Sequence, residues 1–162
     1  MNRLQLARLV ILGANFLILD EPTNGVDPVS RREFWDIIFE LRRRISVVVT
    51  TPSLDEAERC DRVAFMADGK FLTVGTPDDQ RRKVTSPVWE VEVDEPFVVA
   101  ELLEKDLPQT AVQLFGDRLH VVHPIESHEL HRLLQKQGLS ASIHRIEPSL
   151  EDAYVQLVGE TV

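Results

Sequence analysis

The chain has 162 residues, enough for one medium domain or two small ones, and its 43% hydrophobic and 28% charged residues give the balance of a globular protein with a real core. A net charge of -9 argues against a nucleic-acid binder, which needs Lys/Arg clusters aimed at phosphates, and one cysteine, Cys60, excludes a disulfide framework within the chain and points to a reducing, cytoplasmic setting. No apolar run approaches the ~20 residues needed to cross a bilayer, and the residues after Met1 do not read as a signal peptide, so any membrane role is expected to go through a partner.

In chain order, residues 2–13 carry apolar side chains at three- and four-residue spacings and predict a helix ended by Gly13. The uninterrupted run Phe16-Leu17-Ile18-Leu19 predicts a strand buried on both faces. Asp27 and Pro28 suit the N-cap and first position of a helix whose stripe is Phe34, Ile37, Ile38 and Leu41; Trp35 lies beside that stripe and is either core or partner-facing. Residues 45–50 predict a second buried strand. A short helix over 54–60 is opened either by Thr51 with Pro52 at the first position or by a Ser53/Glu56 capping box, and Cys60 is expected in it, partly buried. Strands at 62–66 and 70–74 flank the hairpin turn Ala67-Asp68-Gly69. Helix and strand alternate up to this point, an α/β layer architecture.

Residues 76–87 are polar with two prolines, so a boundary is expected there: a first domain over 1–80, a linker over 81–87 and a small α+β domain over 88–162. Within the last, residues 88–94 alternate as a strand with Trp89, Val91 and Val93 on one side. Residues 97–105 predict a helix, 110–115 and 119–123 two strands around Gly116-Asp117, 126–137 a helix ended by Gly138, 140–146 a strand, and 150–158 a helix capped by Ser149. The order β-α-β-β-α-β is the ferredoxin-like pattern. All five histidines lie in this part. His128 and His131 share a helix face, but two ligands fall short of a zinc site, and a solvated or half-buried surface is expected for the set.

The chemistry concentrates in Asp20-Glu21, delivered by an apolar strand to its C-terminal end, where open α/β sheets bind ligands. Neighbouring strand residues point to opposite sides, so one carboxylate can hold Mg²⁺ while the other orients and deprotonates a water, the two tasks of phosphoryl transfer. The longer string LILDEPTNGVDP resembles the Walker B motif and D-loop of ABC ATPases. Leu4-Gln5-Leu6-Ala7-Arg8 resembles the helix after that family's signature sequence, residues 50–58 its switch-loop region, and Asp61-Arg62-Val63, Asp68-Gly69-Lys70 and Gly75-Thr76-Pro77 its closing strands. The likeness covers residues 1–85, and the remainder, with Glu147-Pro148-Ser149-Leu150-Glu151-Asp152, looks like the small C-terminal extension of drug- and export-type members.

The resemblance implies the C-terminal half of a P-loop NTPase-type domain with a mostly parallel sheet, followed by the small domain. It implies ATP and Mg²⁺ as cofactors, Asp20 as the metal-associated carboxylate, Glu21 as general base, and Asp27 in the loop that crosses between two ATP-binding subunits. It implies a second such subunit, identical or different, and a membrane permease as partners, with the chain on the cytoplasmic face of the cell membrane.

Two departures stand out. There is no G-x-x-x-x-G-K-[ST] and no Leu-Ser-Gly-Gly in the sequence, which opens about where the family has just passed that signature, so a C-terminal portion inactive by itself is expected. Pro52 stands where the switch histidine is expected and has no side-chain donor or acceptor. An alternative is a non-catalytic module that pairs with another subunit. A second is a soluble ABC ATPase of repair or translation, disfavoured by Asn24-Gly25-Val26-Asp27-Pro28 and by the acidic balance.

Overall fold

A computed structural model describes residues 14–107 and 110–159. The helix expected over 2–13 lies outside them. The described residues form a mixed α/β structure that divides into two compact units, one ending at Ala57 and the other beginning at Glu58.

In the first unit, β1 (Phe16–Asp20) runs parallel to β2 (Ser46–Thr50), in a register that pairs Leu17 with Val47 and Asp20 with Thr50. Helix α1 (Pro28–Leu41) connects them, as a parallel pair requires. Its start follows from local chemistry: Asp27 Oδ1 accepts from the N–H groups of Val29 and Ser30 at 3.1 and 3.0 Å, and Pro28, which lacks an N–H, takes the first position at no cost. Trp35 and Ile38 are buried on this helix, which places Trp35 in the core. β1 departs from the expected burial on both faces. Leu17 and Leu19 are buried, whereas Phe16 and Ile18 are 54% and 67% exposed, because side chains alternate along a strand and an unbroken apolar run does not say whether its second face is covered.

Helix α2 spans only Leu54–Ala57 and stops short of Cys60. Neither expected start holds in full. Thr51 Oγ1 accepts from the Ser53 N–H at 3.0 Å, a local turn that leaves exposed Pro52 just ahead of the helix, and the Glu56 carboxylate, which a capping box would turn back to Ser53, reaches Thr23 and Thr51 instead.

The second unit opens with β3 (Val63–Ala67) and β4 (Lys70–Gly75), an antiparallel hairpin turned by Asp68 and Gly69 at φ of 50° and 74°. Positive φ at both turn residues matches the twist of the flanking strands and suits Asp-Gly. Helix α3 (Pro77–Arg81) falls where only polar loop was expected. Its signal was in the sequence: Thr76 Oγ1 accepts from the Asp79 N–H at 3.1 Å while Asp79 accepts from the Thr76 N–H at 3.0 Å, a reciprocal cap. Buried Gln80 then donates to the Val63 carbonyl at 3.3 Å and fastens α3 to the hairpin.

The remainder is a four-stranded antiparallel sheet in the order β6-β7-β5-β8, from β5 (Val88–Val93), β6 (Ala111–Phe115), β7 (Arg118–Val122) and β8 (Ala141–Ile146). Helices α4 (Pro96–Asp106) and α5 (Ser127–Lys136) cover one face. Trp89, Val91, Leu119 and Val121 from the strands pack there with Val99, Leu103, Leu130 and Leu134 from the helices, each side chain contributing about 1.5–3 kcal/mol by leaving water. Helix α6 (Leu150–Gly159) meets the other face, where Gln113 Nε2 donates to the Glu151 carbonyl at 3.1 Å. The ring of Phe65 meets that of Tyr154 edge-on at 5.3 Å, which ties the hairpin to α6 and carries residues 58–80 into the second unit.

His120 departs from a solvated histidine. It is 9% exposed, stacked on Phe115 at 4.1 Å, with Nδ1 lying 3.3 Å from Asp152 Oδ1. Among the described residues no group of three or more His, Cys, Asp or Glu side chains is placed to hold a metal ion, and no helix is long and apolar enough to cross a membrane.

Candidate functional site

The parallel pair β1-β2 brings together the chemistry singled out in the sequence. Asp20 closes β1 opposite Thr50, and the Thr50 hydroxyl donates to Asp20 Oδ1. The next residue leaves the strand abruptly. Glu21 has φ of 41°, a left-handed conformation that costs a side-chain-bearing residue about 1–2 kcal/mol. Its N–H donates to the carbonyl and the hydroxyl of Thr50, both at 3.1 Å, which offsets that strain. Two turns follow, closed by Asn24 N–H to Glu21 O and Val26 N–H to Thr23 O, both at 3.1 Å. They return Asn24 to Glu21, where its side-chain amide donates to Glu21 Oε2 at 3.1 Å.

Asp20 and Glu21 are both exposed, and each has one oxygen held by a named donor. Oxygens left over on an exposed carboxylate beside a hydroxyl suit a hard divalent cation that keeps most of its waters. A carboxylate steadied by an amide suits the positioning of a water.

Asp27 is committed elsewhere. Its hydrogen bonds to Ser30, side chain first and then backbone, with a further one to Val29, hold its carboxyl below the ordinary range and spend it on capping α1. Pro52 sits in the loop leaving β2, two residues past Thr50, and brings no polar side chain to the strand ends.

Sequence reasoning gave Glu56 and Thr51 only a part in starting the short helix and missed that they hold this arrangement. Glu56 is 3% exposed; its Oε1 accepts from Thr23 Oγ1 at 2.6 Å and its Oε2 from Thr51 Oγ1 at 2.7 Å, with Arg31 Nε 3.7 Å away. Burial pushes its pKa up, but the hydroxyls of Thr23 and Thr51, the Trp35 indole N–H and the Arg31 charge together carry it below the usual carboxylate value. That indole N–H is buried without a close acceptor, and Glu56 is the group its dipole favours. The only sequence cue was a glutamate five residues past a Thr-Thr pair.

A strand-end acidic pair followed by a tight double turn and a capped helix lies at the carboxyl end of a strand, where open α/β sheets bind ligands. The chain belongs to the family of ABC transporter ATP-binding proteins. It is 31% identical over 161 residues to the Nod factor export ATP-binding protein I of Rhizobium etli, a match covering 98% of this chain and 50% of that protein. It is 49% identical over 79 residues to the Probable multidrug ABC transporter ATP-binding protein YbhF of Escherichia coli, covering 48% of this chain and 14% of that protein. The Retinal-specific phospholipid-transporting ATPase ABCA4 of Homo sapiens is 41% identical over 77 residues, 47% of this chain and 3% of that protein. The chain thus spans half or less of the length of these relatives. No family model matches it.

Proposed function

We propose that the chain supplies the Walker B and D-loop part of an ATP-hydrolysing ABC transporter subunit, acting on the cytoplasmic face of a membrane permease and paired with a second ATP-binding subunit. The observation that carries this is the acidic pair: Asp20 at a strand end with Thr50 donating to it, and Glu21 turned by a left-handed backbone into the hold of Asn24. Asp20 would hold Mg²⁺, which supplies charge neutralisation on a triphosphate when bound. Glu21 accepts the proton of the attacking water, and Asn24 fixes the carboxylate oxygen that does not. Asp27 caps the helix behind the D-loop and so sets the loop's exit direction. Residues 88–159 are a ferredoxin-like domain, a proposal supported by the β6-β7-β5-β8 order, and the expected domains 1–80 and 88–162 with linker 81–87 describe the inherited modules, although the hairpin packs with the second unit.

A second reading, a non-catalytic module that keeps the subunit-pairing surface, is favoured by Pro52 and by the lack of a G-x-x-x-x-G-K-[ST] string in these residues. The two separate in one experiment. The protein is isolated from its source cells with its associated chains, as wild type and as Asp20→Asn, and assayed for Mg-ATP hydrolysis and for bound permease. Hydrolysis lost in Asp20→Asn with the permease still bound supports the hydrolytic role. Equal, background-level hydrolysis in both with the permease bound overturns it in favour of the pairing module.

A further inference from the structure

The two acidic side chains are each held by one neighbour, Thr50 on Asp20 and Asn24 on Glu21. Each neighbour sits beside a threonine in the loop leaving its strand: Thr51 follows Thr50, and Thr23 precedes Asn24. Both threonine hydroxyls donate to the same buried carboxylate, one to each oxygen of Glu56. We infer that Glu56 is a positioning residue, a clamp that fixes the spacing between the loops leaving β1 and β2 and thereby holds Asn24 and Thr50 on Glu21 and Asp20. The inference rests on the proposed role of that pair.

The chemistry favours a clamp over a passive ion pair. A buried carboxylate is retained only where its oxygens are filled, and hydroxyl-to-carboxylate bonds of 2.6 and 2.7 Å are at the strong end for their type. Arg31 at 3.7 Å is too far to share in a short hydrogen bond and is itself 45% exposed, so the loops and not the cation close the site. Removing Glu56 would leave the Thr23 and Thr51 hydroxyls without their acceptor in or beside the core. Glutamine keeps the shape, one acceptor oxygen and an amide that a threonine oxygen can accept.

Glu56→Gln, Glu56→Ala and Thr23→Val test this, the last removing one arm while leaving the carboxylate in place. Backbone hydrogen exchange is measured on the 162-residue chain, and ATP turnover on the protein isolated with its associated chains. In Glu56→Ala, amides of residues 23–26 and of Thr51 and Ser53 should exchange at least about tenfold faster while residues 47–49 of β2 keep their rates, with a smaller change in Glu56→Gln. Turnover should show kcat lowered by about tenfold or more in Glu56→Ala at little-changed KM for ATP, partly restored in Glu56→Gln, with Thr23→Val between. Unchanged exchange in both loops overturns the clamp, as does uniform acceleration through the whole first unit in all three variants. Loosened loops with kcat intact overturn the positioning role. A wild-type protein without ATP turnover overturns the proposed hydrolytic function and the positioning role with it, while exchange still decides whether the clamp exists.

Discussion

Replacing Asp152 by alanine should cost the second unit about 3–5 kcal/mol. The carboxylate is fully buried, with Oδ2 accepting from the N–H and the hydroxyl of Ser149, both at 2.7 Å, and Oδ1 lying 3.3 Å from His120 Nδ1. Each bond to a charged acceptor is worth about 1.5–3 kcal/mol, and breaking one side of a buried charged network strands the other. Ser149 is only part-buried and recovers some of its loss in water, which brings the total to the lower end of the simple sum or just below it. Native-state hydrogen exchange reads this directly, because Leu119 and Val121 lie in β7, flanked on both sides by strands, and their amides open only with the unit. At a tenfold rate change per 1.4 kcal/mol, Asp152→Ala should speed them between about a hundredfold and a few thousandfold. Asp152→Asn, which keeps an acceptor for Ser149, should cost about 1–2 kcal/mol.

The pH dependence has a defined sign. Burial pushes Asp152 up, but its bonds to His120 and Ser149 outweigh burial and lower its pKa in the fold. The unfolded chain therefore binds this proton more readily. The stabilisation is fully present above the ordinary aspartate range and is lost as the pH falls through the depressed folded value. An alanine variant within about 1 kcal/mol of wild type, or an acid limb unchanged by the substitution, would refute the network.

Two further outcomes follow from the backbone and the site. Gly69 stands at φ of 74° with open space where a Cβ would go, so Gly69→Ala should cost about 1 kcal/mol through backbone strain alone, visible as a lower denaturation midpoint with an unchanged slope. If the protein isolated with its partners hydrolyses ATP, Pro52→His should raise turnover several-fold by returning a side-chain donor and acceptor to the loop leaving β2, with the thermal midpoint at a fixed pH changed by no more than a few degrees.

Much of the local structure was legible because single residues dictate it. Asp27 and Pro28 fix the start of α1, Asp68-Gly69 fixes the hairpin, Gly138 at φ of 75° ends α5, and Ser149 caps α6. The alternation of residues 88–94 placed Trp89 and Val91 in the core. Burial on the second face of β1 was not legible, since it depends on what lies across the sheet and not on the run Phe16-Leu17-Ile18-Leu19. The clamp was hidden for the same reason. Thr23 and Glu56 are 33 residues apart, and nothing local to either says that they meet. A capping-box pattern at Ser53/Glu56 even offered Glu56 a nearer partner, and the two threonine hydroxyls outcompeted it. Likewise His120 and Asp152 became neighbours only through the packing of α6 on the sheet.

The decisive measurement is nucleotide turnover and retention by the Glu21→Gln protein, isolated with its associated chains. Hydrolysis should fall by about a hundredfold or more while Mg-ATP stays bound, because the amide keeps its contact with Asn24 yet accepts no proton from water. Turnover equal to wild type would mean that Glu21 is not the base and that the strand-end acidic pair does not carry the reaction.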